Sequence, residues 1–250
     1  MKYENETQIR EAERKRYEER RRRRRKQLRR KRRIRLAMMF GVPLVMLCTV
    51  LLAVHFMKER TEREEAMVYE VKYVETPPDF EVDLLDINEF SRPGTALPKV
   101  NGIVVHYTAN PGTSAAQNRS YFQNLKDTGE TYASSHFVIG IEGEIVQCIP
   151  CNEIAYASNE RNADTVAIEC CIPDETGKFS EATYQSLVEL VTWLMGRYEL
   201  GPEDVIRHYD VTGKACPKYY VEHEEEWLQF KMDLLTYIET NGIAKTEEIK

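Results

Sequence analysis

Hydrophobic positions along the chain follow two regimes. Leu36 to Met57 is a run of 22 residues with no Asp, Glu, Lys or Arg. A helix of that length spans roughly 33 Å, enough for a bilayer core. Gly41 and Pro43 would be poor choices in a soluble helix but are tolerated in a membrane one. The run exceeds the apolar core of a signal peptide, and no good Ala-x-Ala site follows it. A transmembrane helix is therefore expected at 36–57. Beyond it, residues 58–98 read as a stalk: Glu59 to Glu70 could extend the helix, while Pro77-Pro78, Pro93 and Pro98 break the remainder into extended pieces. Low hydrophobicity predicts weak packing there, with Phe80, Leu84, Leu85 and Phe90 as the side chains available to lie along a neighbouring body.

From Lys99 the pattern alternates between strand and helix. Val100 to Tyr107 is a β-branched run containing His106. Ser114 to Lys126 predicts a helix with Ala115, Tyr121, Phe122 and Leu125 on one face. Ser135 to Ile141 and Glu144 to Ile149 predict two strands joined at Glu142-Gly143, and Thr165 to Ile172 a further strand. Ser180 caps a helix running to about Tyr198, with Leu187, Leu190, Val191, Leu194 and Met195 turned to the core. Val205 to His208 predicts a short strand, and Glu222 to Glu239 a last helix with Trp227, Phe230, Leu234 and Ile238 at helical spacing. The sum is an α/β domain over 99–240, large enough for its own core, with a short tail at 241–250.

Charge sharpens this division. Residues 1–35 carry 18 Lys or Arg against 6 Glu, a balance of +12, so the other 215 residues carry −18 to reach the overall −6. A pI of 5.6 thus averages a basic tail and an acidic body. Basic runs bind nucleic acid without sequence preference, but this one abuts an apolar span. Topology and anionic-lipid contact explain it better, at about 1 kcal/mol per arginine near the surface. The positive-inside rule keeps residues 1–35 in the cytoplasm and places the C-terminal body outside the cell.

Candidate chemistry sits in His208-Tyr-Asp-Val-Thr-Gly-Lys214-Ala-Cys216-Pro217 and in Val104-Val-His106-Tyr-Thr. Two histidines and a cysteine are zinc ligand types, and three protein ligands leave a fourth position for water, the mark of a catalytic site. The turn at Thr212-Gly213 would bring His208 and Cys216 round one ion. The plain alternative, two core histidines and a buried thiol, stands beside it at this level. Among the remaining cysteines, Cys148 and Cys151 form a Cys-x-x-Cys that lacks the helix start a redox motif needs. Cys148, Cys170 and Cys171 read as small buried hydrophobes, and Cys151 is undecided; a structural zinc or a disulfide is the alternative for these four.

Four stretches occur together and in order: Val104-Val-His106-Tyr-Thr, Ser134-Ser-His136-Phe-Val-Ile, Asn162-Ala-Asp-Thr-Val-Ala-Ile-Glu169 and His208 to Pro217. From about Lys99 to Tyr237 the chain thereby resembles the zinc-dependent N-acetylmuramoyl-L-alanine amidase family, which includes phage lysozyme-type amidases and peptidoglycan recognition proteins. The resemblance implies a single mixed β-sheet flanked by helices, Zn²⁺ held by His106, His208 and Cys216, and peptidoglycan as substrate. It also implies Glu169 as base and Lys214 as oxyanion partner. Glu169 ends the apolar run Val166-Ala167-Ile168, which should raise its pKa. Some members carry a tyrosine where this chain has Ser135, and many carry a histidine near Ser158, so those two roles do not transfer. His136 is expected to pack or hydrogen-bond near the site. The competing reading is a non-catalytic peptidoglycan-binding module tethered to the membrane; the presence of Cys216 favours an enzyme.

Overall fold

The structure, a computed structural model, describes residue 19 and residues 22–65 and 70–246. Most of the basic tail, residues 66–69 of the stalk and residues 247–250 lie outside those described. The chain divides into two compact units, Met1–Val68 and Tyr69–Lys250.

In the first unit, residues 22–36 are helical, Ala37–Gly41 forms a π-turn, and helix α1 follows over Val42–Glu65. Pro43 accounts for the π-turn: it lacks the N–H that would continue the regular ladder, which widens just before it. Along α1, Met46, Val50, Leu51, Leu52, Val54, Phe56 and Met57 are exposed. A membrane span is predicted from the sequence at 36–57; the side chains of residues 40–45 and 47 are outside those described. Among the described residues, no helix is long and apolar enough to cross a membrane.

The second unit is built on a six-stranded sheet. Its strands are β2 (Glu81–Val82), β3 (Ile103–Tyr107), β4 (Phe137–Ile139), β5 (Ile145–Gln147), β6 (Val166–Cys170) and β7 (Val205–Arg207), in the order β2-β5-β4-β6-β3-β7. Only β4 and β5 run antiparallel. They form the hairpin read at Glu142-Gly143, where Gly143 takes φ +88 and supplies the left-handed residue the turn requires.

Alternation along the strands sorts the core into two layers. Ile103, Val105, Phe137, Ile139, Val166, Ile168 and Val205 face one side. There they meet Leu187, Leu190, Val191 and Leu194 of helix α3 (Glu181–Tyr198), and Trp227, Phe230 and Leu234 of a further helix, α6 (Glu224–Asn241). The other side carries Val138 and Val146 under Ala115, Phe122 and Leu125 of α2 (Ala115–Thr128). Each buried Leu, Ile or Phe contributes about 1.5–3 kcal/mol. The predicted Ser180 cap is present, and Ser114 supplies a second. Ser114 and Gln117 form a reciprocal capping box, and Ser180 accepts the Thr183 N–H at 3.0 Å.

Three departures from the sequence pattern have physical causes. The predicted stalk packs onto the domain from Glu70 onward: β1 (Glu70–Tyr73) pairs with β8 (Ile243–Thr246), and β2 extends the sheet beside β5. Its apolar residues are few but deeply placed. Leu85 is 1% exposed, and the Phe80 ring meets Phe137 edge-on at 5.7 Å. Arg92 adds a two-pronged bond to Glu153, both contacts at 2.8 Å. The predicted C-terminal tail likewise supplies β8. Finally, a short helix the pattern did not predict, α5 (Lys218–Glu222), precedes the last helix α6, which matches the predicted span within two residues; His223 separates them by leaving helical geometry at φ −125, ψ 78. Glu224, Glu225 and Glu226 then fill the first turn of α6, where negative charge is favoured.

Candidate metal centre

The site forms at the C-terminal ends of three neighbouring parallel strands. His106 in β3 pairs in register with Glu169 in β6. Neighbours in register share a sheet face, so the imidazole and the carboxyl lie side by side on the face opposite Ile103, Val105 and Ile168. On the other flank of β3, Val105 pairs with Arg207, the last residue of β7. His208 follows at once and opens a short helix, α4 (His208–Thr212). The two histidine rings are thereby brought to 4.7 Å between centroids.

Cys216 arrives by a reversal of the chain. Gly213 ends α4 at φ +76, and its N–H caps the Tyr209 carbonyl. The chain then doubles back until Tyr209 N–H donates to the Cys216 carbonyl at 2.9 Å. Cys216 Sγ lies 3.8 Å from His106 Nδ1, and one donor atom from each of His106, His208 and Cys216 falls within 4.8 Å of the others. All three residues are buried. Among the described residues this is the group of side chains that could hold a metal ion.

Zinc suits this donor set. Zn–N near 2.0 Å and Zn–S near 2.3 Å put tetrahedral nitrogen and sulfur about 3.5 Å apart, close to the 3.8 Å observed. Burial, then the neighbouring His208 and Lys214, hold His106 well below the ordinary histidine range, and burial lowers His208 too. Both imidazoles are thus neutral, as ligands must be. Burial pushes the Cys216 thiol up to about 12, with Glu169 adding to the rise. The Tyr107 backbone N–H and Lys214 oppose that rise. A cation in place of the thiol proton relieves the burial of a thiolate.

Glu169 is half-buried as a residue, yet its Oε2 is sealed from solvent without a hydrogen-bond partner. Burial raises its pKa to about 8, and Lys214 is the charge that opposes the shift. Lys214 itself is exposed on the loop between Gly213 and Cys216. His136 stays outside the donor group. Its Nδ1 accepts the Ala167 N–H at 2.9 Å and its Nε2–H donates to the Glu153 carbonyl at 2.9 Å, so it clamps β6 to the loop after β5. Burial holds it near 4, hence neutral. The four other buried cysteines, Cys148, Cys151, Cys170 and Cys171, are free thiols packed in the two core layers.

Two features carry no sequence signal of their own. Arg207 is 6% exposed at its side chain and binds Asp210 at 2.8 Å, Glu224 at 2.6 Å and the Tyr220 carbonyl at 2.8 Å. It ties α4, and so His208, to α5 and α6. The loop after β5 brings Ser158 Oγ to 3.1 Å from His106 Nε2 and Asn159 Oδ1 to 2.9 Å from His208 Nε2.

Comparison with known proteins shows which family and fold this chain resembles. Residues 96–219 match the family described as N-acetylmuramoyl-L-alanine amidase (Amidase_2). The chain is 32% identical over 176 residues to the N-acetylmuramoyl-L-alanine amidase CwlL of Bacillus licheniformis, covering 66% of this chain and 49% of that one. It is 29% identical over 187 residues to BlyA of Bacillus subtilis strain 168, with the same shares covered. The chain spans about half the length of the curated relatives it matches. Among solved structures, the catalytic domain of XlyA superposes with a TM-score of 0.53 at 28% identity, over 63% of this chain and 99% of that domain. PlyL shares the fold at a TM-score of 0.55 and 21% identity, over 63% of this chain and 97% of the other.

Proposed function

We propose that residues 96–219 form the catalytic part of a zinc-dependent N-acetylmuramoyl-L-alanine amidase, which hydrolyses the amide between N-acetylmuramic acid and the L-alanine of the peptidoglycan stem. The convergence of His106, His208 and Cys216 beside Glu169 carries the reading, and the similarity to amidases names the bond. Zinc held by these three residues would acidify a water and polarise the scissile carbonyl.

The chain's own residues supply the proton handling. Glu169 has a pKa of about 8 set mainly by burial, which suits a group that takes a proton from water and returns it to the leaving amine near neutral pH. Lys214 brings positive charge to the oxyanion side; its influence on Glu169, His106 and His208 supports that placement. Mass spectrometry of purified peptidoglycan digested by the full-length protein tests the bond assignment. Free stem peptides with an L-alanine amino terminus are expected; new reducing sugar ends or cuts within the stem would replace this reading.

The same proposal places the protein in the cell membrane as a single-pass protein, with residues 1–35 cytoplasmic, the span at 36–57 and the catalytic unit outside. The uncharged run Leu36 to Met57 and the basic stretch directly before it support this topology. Anionic lipid headgroups are the partner proposed for the tail. Protease added outside intact cells should remove the catalytic unit and leave the tail protected; the reverse pattern would overturn the topology.

A further inference from the structure

Both candidate histidine ligands are held from behind by consecutive residues of one loop. Ser158 is 1% exposed, with Oγ at 3.1 Å from His106 Nε2, and Asn159 Oδ1 lies 2.9 Å from His208 Nε2. The loop is built to present them. The Asn162 carboxamide oxygen accepts the Ala157 N–H at 3.0 Å and the Ser158 N–H at 2.6 Å. Asn159 then turns into the left-handed region at φ +53, a conformation asparagine tolerates better than most residues. Consecutive side chains can therefore reach adjacent rings.

We propose that Ser158 and Asn159 are positioning residues of the metal centre, fixing both imidazoles as Nε2–H tautomers so that each Nδ1 lone pair is free for the ion. A carboxamide oxygen only accepts, so the His208 proton belongs on Nε2. For His106, Nδ1 is the nitrogen turned to Cys216 Sγ, so its Nε2–H donates to Ser158 Oγ. Outer hydrogen bonds of this kind orient ligand rings and raise their basicity. The effect on metal binding rests on the zinc reading above; the tautomer assignment does not.

The test uses full-length protein in detergent. Long-range ¹⁵N–¹H NMR of the metal-free protein reads the tautomers of His106 and His208, and competition with a chromophoric chelator reads zinc affinity. Ser158→Ala should release the His106 tautomer and Asn159→Gly that of His208. Glycine keeps the left-handed backbone, so this variant removes the acceptor without strain. Each variant should raise the zinc Kd about 10–100-fold. Asn159→Asp, which retains an acceptor, should bind zinc at least as tightly as the parent. An unchanged tautomer together with parental zinc affinity in either variant removes that residue from the assignment. A parent protein that shows both Nε2–H tautomers but takes up no zinc would instead overturn the zinc reading and leave only the tautomer assignment standing.

Discussion

Replacing Glu169 by glutamine should stabilise the metal-free protein while removing its activity. The carboxyl sits in register with His106, with Oε2 sealed and unpartnered, and burial raises its pKa from 4.5 to about 8. A raised carboxyl pKa means that the folded state holds its proton over a range where the unfolded chain has released it. Folding stability is then highest at or below pH 4.5 and falls as pH rises towards 8. The rise from 4.5 to about 8, at 1.36 kcal/mol per tenfold change in proton affinity, sets a ceiling near 5 kcal/mol. Water reaching the half-buried side chain reduces this, so a loss of about 2–4 kcal/mol between pH 5 and pH 8.5 is expected. Glutamine does not ionise, so the variant should lack this component. Urea unfolding with EDTA present, at pH 5, 7 and 8.5, measures the difference between parent and Glu169→Gln; contributions from the histidines cancel. The advantage of the variant should grow steadily with pH, while peptidoglycan hydrolysis falls about 10²–10⁴-fold. A difference that does not change with pH would refute the burial argument. Unchanged hydrolysis would refute the catalytic role.

Arg207→Ala removes the buried tie between α4 and the last two helices and leaves the Tyr220 carbonyl without its donor; a loss of about 1–3 kcal/mol in urea unfolding is expected, with weaker zinc retention in equilibrium dialysis. Leu194→Ala, fully buried under the sheet, should cost about 2–5 kcal/mol without changing the denaturant slope. Glu153 has its pKa lowered chiefly by the hydrogen bond from Arg92, so its contribution is present above pH 4.5 and is lost as pH falls through the lower folded value. Parent protein should therefore lose more stability than Glu153→Gln between pH 5.5 and pH 3, as read by thermal unfolding.

Much of the site was legible because its residues sit at strand ends and in one compact loop. His106 closes a β-branched run, Glu169 ends another, and Gly213 announces the reversal that returns Cys216 to His208. The sheet's middle strands were legible as apolar β-branched runs, and α2 and α3 because each carries a clear period and a side-chain cap. What escaped depends on tertiary contact. Ser158 and Asn159 look like any polar turn until the two imidazoles are beside them. Arg207 belongs to a three-residue strand, and only Asp210, Tyr220 and Glu224 explain its burial. The 70–98 segment looked like a linker because its apolar residues are isolated, yet Val74, Leu85 and Leu97 are each buried. Density of hydrophobic residues measured the wrong quantity there; depth of insertion decided the packing.

Metal removal and return decide whether hydrolysis depends on zinc at His106, His208 and Cys216. Full-length protein stripped with EDTA, then reloaded with one equivalent of zinc, is incubated with purified peptidoglycan, and new L-alanine amino termini are counted beside Cys216→Ser treated in the same way. Release is expected from the reloaded parent, none from the stripped parent and none from the variant. Equal release from all three, or none from the zinc-loaded parent, would contradict zinc-dependent hydrolysis.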